Sequence, residues 1–185
     1  MVSSATLHVV STELTVGAFA MAGLAFLLAG FASHDRFGLG RHLSLTDHVA
    51  HFALAFGMLA TPLAVLTGIQ ASPGEGIDHP LLINKMLLAS TSFGLALGVL
   101  MSRRTNGPAI WNHRWGRRWQ TLGGIGASGL MLLTASLGGT FSRGESLLDG
   151  LNLPYDNVPL FPLWLSAIIG LMALANLAKM RSVPA

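Results

Sequence analysis

Val49–Ile69, VAHFALAFGMLATPLAVLTGI, runs for 21 residues without an Asp, Glu, Lys or Arg. About 20 apolar residues of helix cross the hydrocarbon core of a bilayer, so this stretch reads as a membrane span. A barrel strand would alternate polar and apolar residues, and lipid offers no partner for free backbone groups, so helix is the expected form. Outward from it, four more segments have the same character: about Leu14–Ala32, Leu81–Met101, Thr121–Thr140 and Leu160–Ala178. Within these limits there is no Asp or Glu, and Lys85 is the only Lys or Arg. The expected fold is all-α: a polytopic membrane protein with five transmembrane helices in one bundle, a single integral membrane domain over residues 1–185. The first eleven residues hold no Lys or Arg and the first apolar run is long, so a retained span is expected, not a cleaved signal peptide.

Composition agrees. Of 185 residues, 51% are hydrophobic and 10% charged, where a soluble domain carries about 25% charge. This excludes a disordered tail, a nucleic-acid-binding arm and most soluble enzymes. The absence of cysteine removes disulfides, iron–sulfur clusters, thiolate zinc sites and cysteine nucleophiles. The net charge is only +3, and the basic residues stand in short clusters between apolar runs. Their expected partner is a bilayer surface containing anionic lipids.

Those clusters set the orientation. Arg36 and Arg41 follow the first span; Arg103, Arg104, Arg114, Arg117 and Arg118 follow the third; Lys179 and Arg181 follow the fifth. With five spans these nine lie on one side, against Lys85 and Arg143 on the other. Positive residues stay in the cytoplasm, which predicts an external N-terminus and a cytoplasmic C-terminus. The outer connections would be an acidic turn at Gln70–His79 and a longer, proline-limited segment at Phe141–Pro159.

Small residues mark expected helix contacts, because backbones approach closely where side chains are small. Gly94 and Gly98 form a GxxxG in the third span; Gly126 and Gly129 lie in the glycine-rich fourth. Pro62 is expected to kink the second span by freeing the Met58 carbonyl. Gly126-Ala-Ser128-Gly129 resembles the GxSG motif of rhomboid intramembrane proteases. That chemistry needs a histidine on a later helix, and none follows His113.

Seven histidines carry the main chemical signal, since imidazole is a common ligand of metals and haem. His48 and His51 stand three apart on one face at the start of the second span, with His51 the deeper and better ligand candidate. His113 on the same side is expected to approach it; His8 and His79 would meet in the same way at the opposite end. An inner metal site from His34, Asp35, His42, Asp47, His48 and His51 is an alternative, as is plain interfacial capping, with Thr46-Asp47-His48 reading as a helix start. A single HxxH is too sparse for a diiron hydroxylase or desaturase.

Trp111, Trp115 and Trp119 recur every four residues among Arg114, Arg117 and Arg118. On a helix they would share a face, the pattern of an interfacial anchor with rings at headgroup level and guanidiniums on lipid phosphates. A specific anionic lipid or a quinone headgroup is the functional alternative there.

Asp47-His48-Val-Ala-His51-Phe52 through Leu66-Thr67-Gly68 resembles the first haem-binding helix of the cytochrome b561 and hydrogenase-cytochrome-b families. The following Asn84-Lys85-Met86 through Arg103-Arg104 resembles their next helix, with Asn84 where those families carry histidine. Asp78-His79-Pro80-Leu-Leu, with Trp115 through Gly139, resembles the small membrane proteins of the DUF2231 family. These resemblances imply a compact helical bundle in a bacterial membrane, in families linked to redox chemistry, and among ligands they reach His51 alone. Together with the histidine positions they give the first functional expectation: a haem-b-type electron-transfer subunit, with a quinone as candidate redox partner, His51 as leading ligand, and His48, His113, His79 and His8 as reserves. The competing expectation is a non-catalytic accessory subunit that packs against a larger respiratory or photosynthetic complex. A transporter is disfavoured, because no acidic residue is expected mid-membrane.

Overall fold

The computed structural model describes residues 3–71 and 79–145, together with the single positions Asp149, Ile168, Leu171, Met172 and Ala175. Most of the fifth expected span, 160–178, and much of both outer connections lie outside the described residues. Four long helices make up the rest: α1 Ser4–Ala32, α2 Leu43–Ala71, α3 Pro80–Asn106 and α4 Arg114–Arg143. Each is long and apolar enough to cross a membrane, and the described residues contain no strand.

All four helices outrun the hydropathy limits, because helices stop at caps and hydropathy stops at the edge of the oil. α1 starts ten residues before Leu14, where the Ser3 hydroxyl accepts the Thr6 amide. α3 opens with Pro80, whose missing N–H costs nothing in a first turn, and with the His79 ring accepting the Leu81 amide at 3.3 Å. α4 ends at Gly144, in the left-handed region at φ 72°. Between α1 and α2 the chain turns through Asp35 and Phe37 at positive φ, and the Asp35 carboxylate fixes the turn by accepting the Gly40 amide at 2.8 Å. α2 begins at Leu43, so Thr46-Asp47-His48 lies inside the helix and does not open it.

α1 lies between α2 and α4, and α3 packs on the far side of α4, while α2 and α3 meet only lightly. The core along α1 joins Phe19, Ala22, Phe26 and Ala29 to Ala50, Leu54 and Met58 of α2 and to Ala127 and Met131 of α4. In a bilayer such packing rests on close dispersion contact, not on the hydrophobic effect. A methyl on Gly23 would lie 2.8 Å from the Ser128 Cβ, one on Gly30 would lie 2.8 Å from Thr121, and one on Gly124 would enter the Phe26 ring. Gly129 faces open space and Gly126 makes only an ordinary contact with Leu95. The tightest α1–α4 approaches therefore use Gly23, Gly30 and Gly124, not the Gly126–Gly129 pair expected from spacing. Large side chains such as Phe52 and Leu59 point outward, 75% and 81% exposed, as lipid-facing positions should.

Candidate functional site

Four polar side chains gather around one carboxylate at the arginine-rich end of the bundle. Asp47, on the second turn of α2, is buried. It accepts Arg103 Nε at 3.0–3.1 Å and Arg103 Nη2 at 2.6 Å from the end of α3. The indole N–H of Trp111 donates to its other oxygen at 2.7 Å. Trp111 comes from the 3-10 turn Gly107–Asn112 that joins α3 to α4. One helical turn further along α2, His51 places Nδ1 2.7 Å from the Asp47 carbonyl oxygen and 3.1 Å from its carboxylate. His51 Nε2 lies 2.9 Å from Gln120 Oε1 of α4, and the Gln120 amide donates to the Val99 carbonyl of α3 at 3.2 Å. The edge of Phe26 from α1 closes the cluster, its ring centre 5.0 Å from that of His51.

An unpaired charge in an apolar interior is costly, and a forked guanidinium–carboxylate pair with all its hydrogen bonds met is the arrangement that offsets that cost. Here the fork ties α2 to α3, Trp111 ties in the connecting turn, and His51 with Gln120 ties in α4. The cluster thus joins α2 to α3, two helices that otherwise meet only lightly. Beside it lies an open cleft of about 360 Å³ lined by Asp47, His48, His51, Phe52 and Arg103.

The expected ligand histidines are distributed differently from the sequence reading. A metal takes the lone pair of a ring nitrogen, yet both nitrogens of His51 already face oxygen atoms of the protein. His48 is exposed, with Nδ1 2.6 Å from the Ser44 carbonyl oxygen. His113 stands exposed at the start of α4, and the cluster closes without it. At the opposite end His8 and His79 do not pair. His8 Nδ1 lies 3.0 Å from the Ala64 carbonyl and 3.3 Å from the Thr67 hydroxyl, whereas His79 caps α3 and meets Phe141 edge-on at 4.8 Å. No ring-to-ring contact joins these histidines among the described residues. Among the described residues no group of three or more His, Asp or Glu side chains is arranged to hold a metal ion either.

The tryptophan triplet also divides. Trp111 precedes α4 and is only 3% exposed, while Trp115 and Trp119 are 66% and 44% exposed on α4 itself. Arg118 sits 5.3 Å over the Trp115 ring. Arg114 is exposed beside them, but Arg117 turns inward to donate to the Ser33 carbonyl at 3.3 Å. Ser128, the serine of the GxSG-like stretch, is buried against Gly23. Gly98 is buried and Gly94 half-buried within α3.

Sequence reasoning missed Arg103 and Gln120, and it gave Asp47 and Trp111 other roles. Their signal was available only in pairs: one acid and one polar amide near span ends, each out of place unless it has a distant partner. No family model, no curated protein and no solved structure matches the chain.

Proposed function

We propose that this chain is a non-catalytic accessory subunit that stabilises a larger respiratory or photosynthetic complex in a bacterial plasma membrane. The observation that carries this reading is the Asp47 cluster, in which the side chains best suited to redox or ligand chemistry hold four helical elements together. In this proposal the Asp47 end faces the cytoplasm, residues 160–178 form a fifth span, and the C-terminus is cytoplasmic. Trp115 and Trp119, with Arg114 and Arg118, anchor that end among anionic lipid headgroups. The exposed apolar faces of the helices meet lipid and the larger partner.

A haem-b electron-transfer subunit is the reading this displaces, because a ligand role for His51 requires breaking its bond to Gln120 or to the Asp47 carbonyl. The test is a dithionite-reduced minus air-oxidised spectrum of protein extracted in mild detergent, with a pyridine haemochrome assay and the mass of the particle that carries it. A flat spectrum on a particle much heavier than 19.4 kDa is expected. A sharp α-band at one haem per chain that disappears in His51→Ala would overturn the proposal.

A further inference from the structure

The cleft beside Asp47 lies between two helices that meet only lightly: Asp47, His48, His51 and Phe52 come from α2, and Arg103 comes from α3. Most of its polar lining is already engaged. The Asp47 side chain is 4% exposed, and its two oxygens receive Arg103 and Trp111. Both ring nitrogens of His51 face protein oxygens. Arg103 is different. It commits Nε and Nη2 to Asp47, while its Nη1 group has no hydrogen-bond partner among the described residues. That nitrogen is not buried, and the Arg103 side chain keeps 18% of its surface beside the cleft. The guanidinium thus holds the bundle with one edge and has N–H groups left for a ligand.

The rest of the cleft is apolar and leads along the membrane-facing side of α2. Phe52 lines it and is exposed, and Leu59 and Leu66 continue the same helix face at seven-residue steps, both exposed. His48, at the polar end, is exposed as well and keeps Nδ1 on the Ser44 carbonyl. Trp115 and Trp119 stand exposed at this end of the bundle, which is where rings mark the headgroup layer. A cationic edge at headgroup level, followed by an apolar track into the hydrocarbon, has the polarity of one class of molecule: an amphiphile with an anionic head.

We propose that this cleft seats one phospholipid, with its phosphodiester on Arg103 Nη1 and an acyl chain along Phe52 and Leu59. Arginine can serve both partners at once, because its five donors lie in a planar fork that pairs with carboxylate and phosphate alike. The lipid then fills the gap that α2 and α3 leave, and Arg103 bridges it to Asp47. The site belongs to the chain itself and not to a larger assembly, so it is tested on the purified protein.

Full-length protein, delipidated in an uncharged detergent, is unfolded by heat in rising concentrations of a water-soluble short-chain phosphatidylglycerol. Two parallel series use inorganic phosphate, the anion without the chains, and a short-chain diacylglycerol, the chains without the anion. A ligand that binds only the folded state raises Tm saturably. Wild type is expected to show a saturable rise with the phospholipid that neither half reproduces. His48→Glu sets a carboxylate at the exposed polar end and should raise the half-saturating concentration about tenfold or more, the cost of one charge-assisted hydrogen bond. Phe52→Ala should weaken binding as well. Arg103→Lys leaves Asp47 a counter-charge but lacks the second edge of the fork, and it should abolish the response. Should that variant not fold, His48→Glu and Phe52→Ala, both at exposed positions, decide the matter. No saturable rise in wild type overturns the site, as does a rise that diacylglycerol matches or equal half-saturation in wild type, His48→Glu and Phe52→Ala. A rise with inorganic phosphate as large as with the phospholipid makes the occupant a free oxyanion and overturns the lipid.

Discussion

Asp47 is the residue on which most depends. Its carboxylate receives three N–H groups from Arg103 and Trp111 and sits beside His51, so a neutral replacement leaves a guanidinium without its counter-charge. Breaking a buried pair from one side costs about 3–5 kcal/mol, whereas replacing both partners with apolar groups of similar volume is often neutral. Asp47→Asn is therefore expected to lower the unfolding midpoint sharply in detergent, and Asp47→Leu combined with Arg103→Met to recover most of the loss. A double-mutant cycle with a coupling energy near zero would contradict this. His51→Ala should cost about 1–3 kcal/mol, because the Gln120 oxygen loses its donor, and Gln120→Leu in the same background should cost less than it does alone. At this scale the sequence was least informative. Asp47 resembled a helix start because acids commonly cap helices, and its true partner, Arg103, lies 56 residues away in a cluster of arginines that resembled only a loop signal.

At the scale of the helix, small residues set the distances. Gly124 accommodates the Phe26 ring and Gly129 faces nothing. Alanine at these two positions should therefore have opposite effects. Gly124→Ala overpacks a closed contact, expected to cost about 1–3 kcal/mol and to be relieved by Phe26→Leu. Gly129→Ala removes backbone freedom without a clash and should stabilise by up to about 1 kcal/mol; thermal unfolding in one detergent compares the set. Hydropathy located all four described helices because burial in oil is a property of composition. It missed their ends, which depend on single hydrogen bonds such as Ser3 to Thr6. The glycine-rich character of α4 was legible, but which glycines make contact depends on the register against α1, and register is a property of two segments together. Trp111 illustrates the same limit: a four-residue spacing implies a shared face only if one helix carries all three rings.

For the molecule as a whole, charge asymmetry carries the topological argument. Nine of eleven Lys and Arg residues fall in connections that odd-numbered spans would place on one side. The chain has no cysteine, so single cysteines report sidedness without background. In intact cells Ser72→Cys is expected to react with a membrane-impermeant maleimide, and Thr105→Cys only after the membrane is opened. Labelling in the reverse order would invert the proposed orientation.

The Asp47 cluster also has a history in time. Its acid is made early in the chain, its arginine 56 residues later, and its glutamine 17 residues after that. Until Arg103 emerges, α2 carries its acid at one end with no partner. A nascent chain halted at residue 100 should therefore hold α2 loosely, and one halted past Gln120 should hold it firmly. In chain order the ion pair is thus a late contact: α2 gains its full set of polar partners only when α3 and the start of α4 have been made.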